Sequence, residues 1–154
     1  MFFRKTNYQK SNAVETVDFQ PSPKSKLLAE HLLLAQSDVE YRQYRAQLLV
    51  DKLSLYSSIQ PVKVKISNTR QYHKKAANRV VFKRYGYYNP HTSYIYIQNF
   101  TAVRGQPLAS KSFVDTLLHE WLHHYDSRKL KLNSIHSAGF YNRLRDLKSK
   151  LEIK

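Results

Sequence analysis

The chain has 154 residues, of which 42% are hydrophobic, with only three glycines and five prolines. This length supports one hydrophobic core, and apolar residues recur along most of the chain, so we expect a single folded domain. The sequence contains no cysteine, which excludes a disulfide framework, a thiol nucleophile, an iron–sulfur cluster and a cysteine zinc ribbon within this chain. Any metal must therefore be held by histidines and carboxylates.

The formal net charge is +15, and its distribution is one-sided. No Asp or Glu lies between Asp51 and Asp115, whereas this stretch contains Lys52, Lys63, Lys65, Arg70, Lys74, Lys75, Arg79, Lys83, Arg84, Arg104 and Lys111. Such a stretch favours a polyanionic partner, DNA or RNA, because each cation that meets a phosphate releases counterions. The alternative is a solvated basic surface with no dedicated partner.

Targeting and membrane signals are not apparent. The first three residues are apolar, but Arg4 and Lys5 follow directly, so the N-terminus does not form the continuous apolar segment of a signal peptide. No run of eighteen apolar residues occurs. We therefore expect an intracellular, cytoplasmic protein without a membrane partner. We also expect it to be a monomer.

The N-terminal third predicts an arm followed by two helices. Residues 1–23 are mixed and polar, end in Pro21-Ser22-Pro23 and lack a sustained period, which is typical of a flexible basic arm. The domain itself is expected to span residues 24–154. From Lys24 to about Ser58 the apolar residues follow helical spacing, and Ser37 with Glu40 forms a capping-box pattern, so two helices should meet near Gln36.

The middle of the chain predicts strands. Residues 62–66 alternate apolar and basic side chains, and residues 79–85 and 94–98 are rich in β-branched and aromatic residues. Turn-forming residues separate the last two segments. We expect a three-stranded antiparallel sheet.

Two further helices complete an α+β fold. Ser112 with Asp115 predicts a helix start, and helical spacing continues to about Tyr125. The final helix follows Ser137, and its apolar stripe is formed by Phe140, Leu144, Leu147 and Leu151.

A metal-binding motif lies inside the first of these helices. His119-Glu120-Trp121-Leu122-His123 matches His-Glu-x-x-His, in which two imidazoles four residues apart share one helix face and bind one Zn²⁺. Glu120 would serve as the general base toward the water of such a site. The alternative is two surface imidazoles beside a solvated glutamate.

A catalytic zinc needs a third protein ligand and an open position. The candidates after His123 are His124, Asp126, His136, Asp146 and Glu152. His136 is favoured because it directly precedes the final helix, and a loop of about a dozen residues can return it to the metal. His124 is rotated by about 100° from the zinc face, which favours a surface or supporting role. Asp126 is expected beyond the helix end.

Several other side chains are weaker candidates. Tyr141, Arg143 or Tyr125 could stabilise charge on an attacked carbonyl, with Tyr141 as the transition-state candidate. Asp115 could orient a ligand, although helix capping is the preferred interpretation. The tyrosines near basic residues could stack on unpaired bases, but strand formation is the simpler interpretation; they are Tyr85, Tyr87, Tyr88, Tyr94 and Tyr96. We expect no metal role for His31, His73 and His91.

The motif and the run His136-Ser137-Ala138-Gly139-Phe140 resemble the SprT-like metallopeptidases, relatives of Spartan. In that family a third ligand His follows the second His of the motif by about the thirteen positions that separate His123 from His136. It is followed by a small residue and, four positions after the His, by an aromatic residue; Ser137 and Phe140 occupy these places. A hairpin before the metal helix is a weaker point of similarity. The resemblance covers roughly residues 25–152. SprT-like proteins often continue into a cysteine zinc ribbon, for which this sequence has no cysteines.

The resemblance implies a small zincin-like domain and a zinc-dependent metalloendopeptidase. Its substrate would lie along an edge strand, taken to be residues 94–98, above the metal. Protein substrates associated with nucleic acid are one expectation, and a single dedicated protein partner is another. The rival hypothesis is a basic nucleic-acid-binding module with a structural or degenerate zinc site.

Overall fold

The computed structural model describes residues 4–70, 72–76, 79–101 and 105–153. Within these residues the helices are α1 (Asn7–Asn12), α2 (Pro23–Leu33), α3 (Val39–Tyr56), α4 (Ser110–Arg128) and α5 (Ala138–Lys150). The strands are β1 (Lys63–Arg70), β2 (Tyr72–Ala76), β3 (Arg79–Arg84), β4 (Gly86–Asn89) and β5 (Tyr94–Phe100). The α+β class is the one that the sequence predicts, and the two helices meeting near Gln36 are confirmed.

The helix starts differ from the predicted capping boxes. Asp38 caps α3, since its carboxylate accepts a hydrogen bond from the Tyr41 amide, in place of the expected Ser37 and Glu40 pair. The predicted start of α4 at Ser112 is also wrong, because the helix begins at Ser110 without a side-chain cap. The Ser110 hydroxyl instead donates to the carbonyl of Leu34, which fixes this end of α4 to the end of α2.

The central sheet is mixed, with strand order β1-β5-β4. Strand β5 runs parallel to β1 and antiparallel to β4. The expected antiparallel three-stranded sheet is therefore wrong, because β3, its predicted middle strand, pairs with β2 in a separate two-stranded sheet. Alternation of apolar residues identifies the buried face of a strand but carries no information on the direction of its neighbour.

The two edges of the central sheet are built differently. At the β1 edge, Gln47 accepts from the Val64 amide at 2.9 Å and donates to the Val62 carbonyl at 3.0 Å. Gln43 repeats this pattern with the Ile66 amide and the Val64 carbonyl. Two glutamines of α3 thus take the place of another strand and close this edge.

Strand β4 forms the other edge, beside α4. The predicted edge position of residues 94–98 is wrong, because β5 lies in the centre of the sheet. A Cβ at Gly86 would lie 2.5 Å from the Tyr96 carbonyl oxygen and 3.3 Å from the Thr116 methyl carbon. The glycine therefore permits the close approach of β4 to both β5 and α4.

The core lies between one face of the sheet and the helices. Val64, Ile66, Ile95 and Ile97 are at most 2% exposed, while the lysines that alternate with them on β1 are exposed. Trp121 of α4 is fully buried, and its indole N–H donates to the Ser54 hydroxyl of α3 at 3.0 Å. The aromatic side chain therefore fills the core without leaving its donor unpaired.

The described part of the N-terminal segment packs on the domain, which departs from the expected flexible arm. Thr6 caps α1 through a capping box with Gln9. Ser11 and Val17 are 1% and 2% exposed, and the Asp18 amide donates to the Tyr125 hydroxyl at 2.9 Å. These contacts attach the segment to α4 and α5. No helix among the described residues has the length and apolar character required to span a bilayer.

Candidate metal centre

Helix α4 presents His119 and His123 on one face, toward the loop before α5. The Nε2 atom of His136 lies 2.9 Å from Nε2 of His119 and 3.0 Å from Nε2 of His123. All three nitrogens lie within 4.8 Å of one another, and among the described side chains these form the group able to share one ion. The structure therefore brings together the three histidines that the sequence selects as ligands.

His136 is positioned by the loop between α4 and α5. Lys131 adopts a left-handed conformation with φ of 56°, and the Leu132 amide returns to the carbonyl of Asp126 at 3.0 Å. Ser137 then caps α5 by accepting from the Phe140 amide at 3.1 Å. His136 thus stands between a closed helix end and a capped helix start, and this restricts the backbone from which its ring projects.

A hydrogen-bond chain defines the protonated nitrogen of His123. Its Nδ1 lies 2.7 Å from the Ser134 hydroxyl oxygen, and that hydroxyl donates to Oδ2 of Asp126 at 2.9 Å. Because the hydroxyl hydrogen points to Asp126, the remaining hydrogen between Ser134 and His123 must come from Nδ1. Nε2 of His123 then carries a lone pair directed at His136 and His119, as a metal ligand requires.

The protonation of the α4 histidines also fits a metal. Burial, followed by the nearby imidazole of His136, lowers the pKa of His119 from 6.5 to about 4. Burial, followed by the neighbouring rings of His119 and His136, lowers the pKa of His123 from 6.5 to about 3. Both rings are therefore neutral at pH 7, and neutral imidazole is the form that binds Zn²⁺. Three imidazole nitrogens that lie within reach of one ion are a donor set that fits zinc.

Phe140 supports all three imidazoles from below. Its fully buried ring lies 4.6 Å from the His123 ring, nearly parallel to it, and 4.9 Å and 5.4 Å from the rings of His119 and His136, centroid to centroid. One rigid side chain on α5 therefore limits the rotation of every candidate ligand. The sequence predicts Phe140 as a core residue of α5, and the structure adds this contact.

An open cleft of about 740 Å³ surrounds the histidines. Residues 85–88 of the β4 side form one wall, α4 forms the floor, and residues 132–134 with His136 form the other wall. Glu120 lines this cleft, next to His119 in sequence, with 8% of its surface exposed. The arrangement places a carboxylate and three imidazoles on a space large enough for a polypeptide segment.

The other predicted polar candidates occupy different positions. Tyr141 stands at the rim, 42% exposed, with its ring 6.1 Å from that of His136. The Tyr125 hydroxyl is buried and accepts from the Asp18 amide, so it does not reach the cleft. The guanidinium of Arg143 is fully buried behind the site and bonded to Asp126, which excludes it as a donor to substrate.

The carboxylates considered as third ligands are engaged elsewhere. Asp126 lies within α4, not beyond its end as predicted, and pairs with Arg143 at 2.8 Å. Asp146 pairs with Lys150, and Glu152 pairs with Lys26. Asp115 pairs with Lys148 at 2.7 Å near the start of the cleft and does not cap α4 as expected.

His124 is fully buried, so of the two roles expected for it, surface or supporting, the surface role is wrong. Its Nε2 lies 2.7 Å from the Gln60 carbonyl oxygen and must carry the hydrogen, since a carbonyl only accepts. Nδ1 then accepts from the Tyr88 hydroxyl at 2.8 Å. His124 therefore joins α4 to the β4 wall of the cleft and to the chain before β1.

Sequence reasoning missed Ser134 and the supporting role of Asp126 and Arg143. No spacing rule links these residues to His123, because they lie on a loop and on two different helices. Of the remaining histidines, His31 and His91 are outside the group of three, and the side chain of His73 lies outside the described residues.

Comparisons with protein-family models, curated proteins and solved structures find no match.

Proposed function

We propose that this protein is a zinc-dependent endopeptidase. The observation that carries the proposal is the convergence of three histidine Nε2 atoms, with Glu120 beside them, on an open cleft. A purely structural zinc site would usually be closed by a fourth protein ligand and would not need a carboxylate next to its ligands. The donor set and the openness of the site together favour hydrolysis.

His119, His123 and His136 would hold the ion. When bound, Zn²⁺ acts as a Lewis acid that polarises a carbonyl and lowers the pKa of water. Glu120 takes the proton of the attacking water as general base and passes it to the leaving amine. Tyr141, at the rim of the site, is the proposed donor to charge on the attacked carbonyl.

The cleft suits an extended polypeptide. It runs between the β4 side and the loop before α5, so a substrate would lie along β4 instead of β5. The run from His136 to Phe140, in which the aromatic ring underlies the ligands, supports the similarity to SprT-like metallopeptidases and a zincin-like assignment.

The test combines metal content with proteolysis. Glu120→Gln should retain about one zinc per chain and cleave an unfolded protein about 10² to 10⁴-fold more slowly than the wild type, because the general base is lost. Glu152→Gln is the matched control, since Glu152 is exposed and lies in an ion pair with Lys26 away from the cleft. Zinc-loaded wild type that cleaves no faster than Glu120→Gln would refute the peptidase assignment.

A second candidate function is binding of single-stranded nucleic acid, and one surface favours it. The face of the sheet opposite the core carries Lys63, Lys65, Tyr87, Tyr94 and Tyr96. Lys63 and Lys65 lie opposite Tyr94 and Tyr96, and the rings of Tyr87 and Tyr96 stack with centroids 5.3 Å apart. Aromatic rings beside cations suit bases and phosphates, respectively.

Tyr85 and Tyr88 do not belong to this face. Tyr85 packs against the core, and Tyr88 bonds to His124. The basic side chains between residues 69 and 84, together with Arg104, lie outside the described residues. The candidate surface therefore rests on two lysines and three tyrosines.

Binding of an oligothymidylate at increasing salt concentration tests this surface. Lys65→Gln should reduce the salt slope by about 1, whereas Tyr94→Ala should weaken binding with little change in slope. Lys24→Gln and Tyr44→Ala, both at exposed positions on helices, are the controls. Equal effects of the sheet and helix variants would show that the charge acts without a defined surface.

A further inference from the structure

A buried network lies directly behind the metal centre. The Arg143 guanidinium binds both carboxylate oxygens of Asp126, from Nε to Oδ1 at 3.0 Å and from Nη2 to Oδ2 at 2.8 Å. Both side chains are fully buried. Asp126 then accepts from Ser134, and the Ser134 oxygen faces Nδ1 of His123.

The direction of each hydrogen bond is fixed along this chain. Arg143 can only donate, so Asp126 must accept at both oxygens. Oδ2 of Asp126 therefore receives the Ser134 hydrogen, and Ser134 presents a lone pair to His123. The result is a single tautomer of His123, protonated at Nδ1 and able to use Nε2 as a ligand.

The N-terminal segment completes the network. Nη1 of Arg143 donates to the carbonyls of Ser11 and Val14, at 2.6 Å and 2.7 Å, and Nη2 donates to the Ser11 hydroxyl at 3.0 Å. With the two bonds to Asp126, all five guanidinium N–H donors have a partner. Arg143 is thereby fixed in place, and its carboxylate partner with it.

We propose that Ser134 and Asp126 are positioning residues that set the metal affinity of the site by holding His123 in its ligand tautomer and orientation. The inference rests on the proposed zinc site. In metalloproteins, removing a partner of a ligand's second ring nitrogen costs about 10 to 100-fold in metal affinity. Here that partner is a serine hydroxyl, itself oriented by a buried carboxylate.

Zinc affinity of the full chain, measured by competition with a chelator, is the test. Ser134→Ala should bind Zn²⁺ about 10 to 100-fold more weakly than the wild type, and Ser134→Thr, which keeps the hydroxyl, should restore most of the loss. Ser127→Ala is the matched control, because Ser127 also lines the cleft but its hydroxyl faces Arg128. The Co²⁺-loaded protein provides a second readout, since Ser134→Ala should shift its visible absorption bands whereas Ser127→Ala should not.

The outcomes separate this inference from the proposed function. Wild type and Ser134→Ala binding zinc with equal affinity would overturn the positioning role and leave the zinc site intact. Equal losses in Ser134→Ala, Ser134→Thr and Ser127→Ala would also overturn it, because the effect would then not depend on the hydroxyl. A wild-type chain that binds no zinc would overturn both. Thermal unfolding of the metal-free variants checks that none has lost its fold.

Discussion

The two sides of α4 serve different purposes. The cleft side carries Ser112, Thr116, His119, His123 and Ser127, spaced at intervals of three and four residues, and each is partly exposed. The opposite side carries Phe113, Leu117, Trp121 and Tyr125, all fully buried. The apolar stripe fixes the helix to the sheet and to α3, so the polar stripe can be devoted to ligands. Changes on the buried side should therefore alter stability, and changes at His119 and His123 on the cleft side should alter metal binding.

The largest effect is expected from the core side. Trp121→Ala should lower the free energy of unfolding by about 3–5 kcal/mol, because it leaves a cavity where the largest fully buried side chain lies. It also leaves the Ser54 hydroxyl without its indole partner. Denaturant unfolding of the metal-free protein measures the change. Tyr44→Ala, at a side chain 65% exposed, should change the same free energy by less than about 0.5 kcal/mol.

On the cleft side of α4, a substitution should change the free energy of unfolding only when zinc is present. Zinc at 100 times its dissociation constant should stabilise the wild type by about 2.7 kcal/mol, since the ion binds only the folded chain. His119→Ala should lose this gain while the metal-free protein keeps its stability within about 1 kcal/mol. Thermal unfolding with zinc and with excess chelator gives both values. A zinc-dependent shift of equal size in His119→Ala would remove His119 from the ligand set.

The same contrast explains what the sequence could predict about the site. His119, Glu120 and His123 follow from one helical period, and His136 follows from its place before a recognisable helix start at Ser137. Ser134 lies in a loop without periodicity, and its function depends on where Asp126 and Arg143 meet in the folded chain. Such a network arises from tertiary packing, which residue spacing does not encode.

The fold, like the site, has features that the sequence predicts and features that it does not. Helix positions could be predicted because periodicity is local, as with the start of α5 after Ser137, whereas the capping residues expected for α3 and α4 are not the ones that the structure uses. The parallel pairing of β1 with β5 could not, because alternating residues look the same in either direction. The packing of the N-terminal segment could not be predicted either. Its buried residues, such as Ser11 and Val17, are isolated in the sequence and do not recur at a helical or strand period.

A smaller loss of stability is expected where the β4 wall of the cleft is bonded to α4. Tyr88→Phe removes the hydroxyl that donates to Nδ1 of buried His124, leaving that acceptor without its partner from the cleft wall. The cost should be about 1–3 kcal/mol in the free energy of unfolding. Tyr44→Phe, at an exposed position, is the control. Equal unfolding midpoints for the wild type and both variants would show that the bond to His124 does not stabilise the cleft wall.

A further effect should appear in the pH dependence of the chelator-treated protein. In the unfolded chain a histidine binds its proton near pH 6.5, whereas burial lowers the pKa to about 4 for His119 and about 3 for His123 in the folded chain. Between these values the unfolded state binds more protons, so stability is full above pH 6.5 and declines as the pH falls toward 4. Urea unfolding at pH 7.5, 6.5 and 5.5 should show this decline, and it should be shallower in His123→Gln. An identical slope in that variant would mean that the loss of stability arises from other groups, such as the carboxylates.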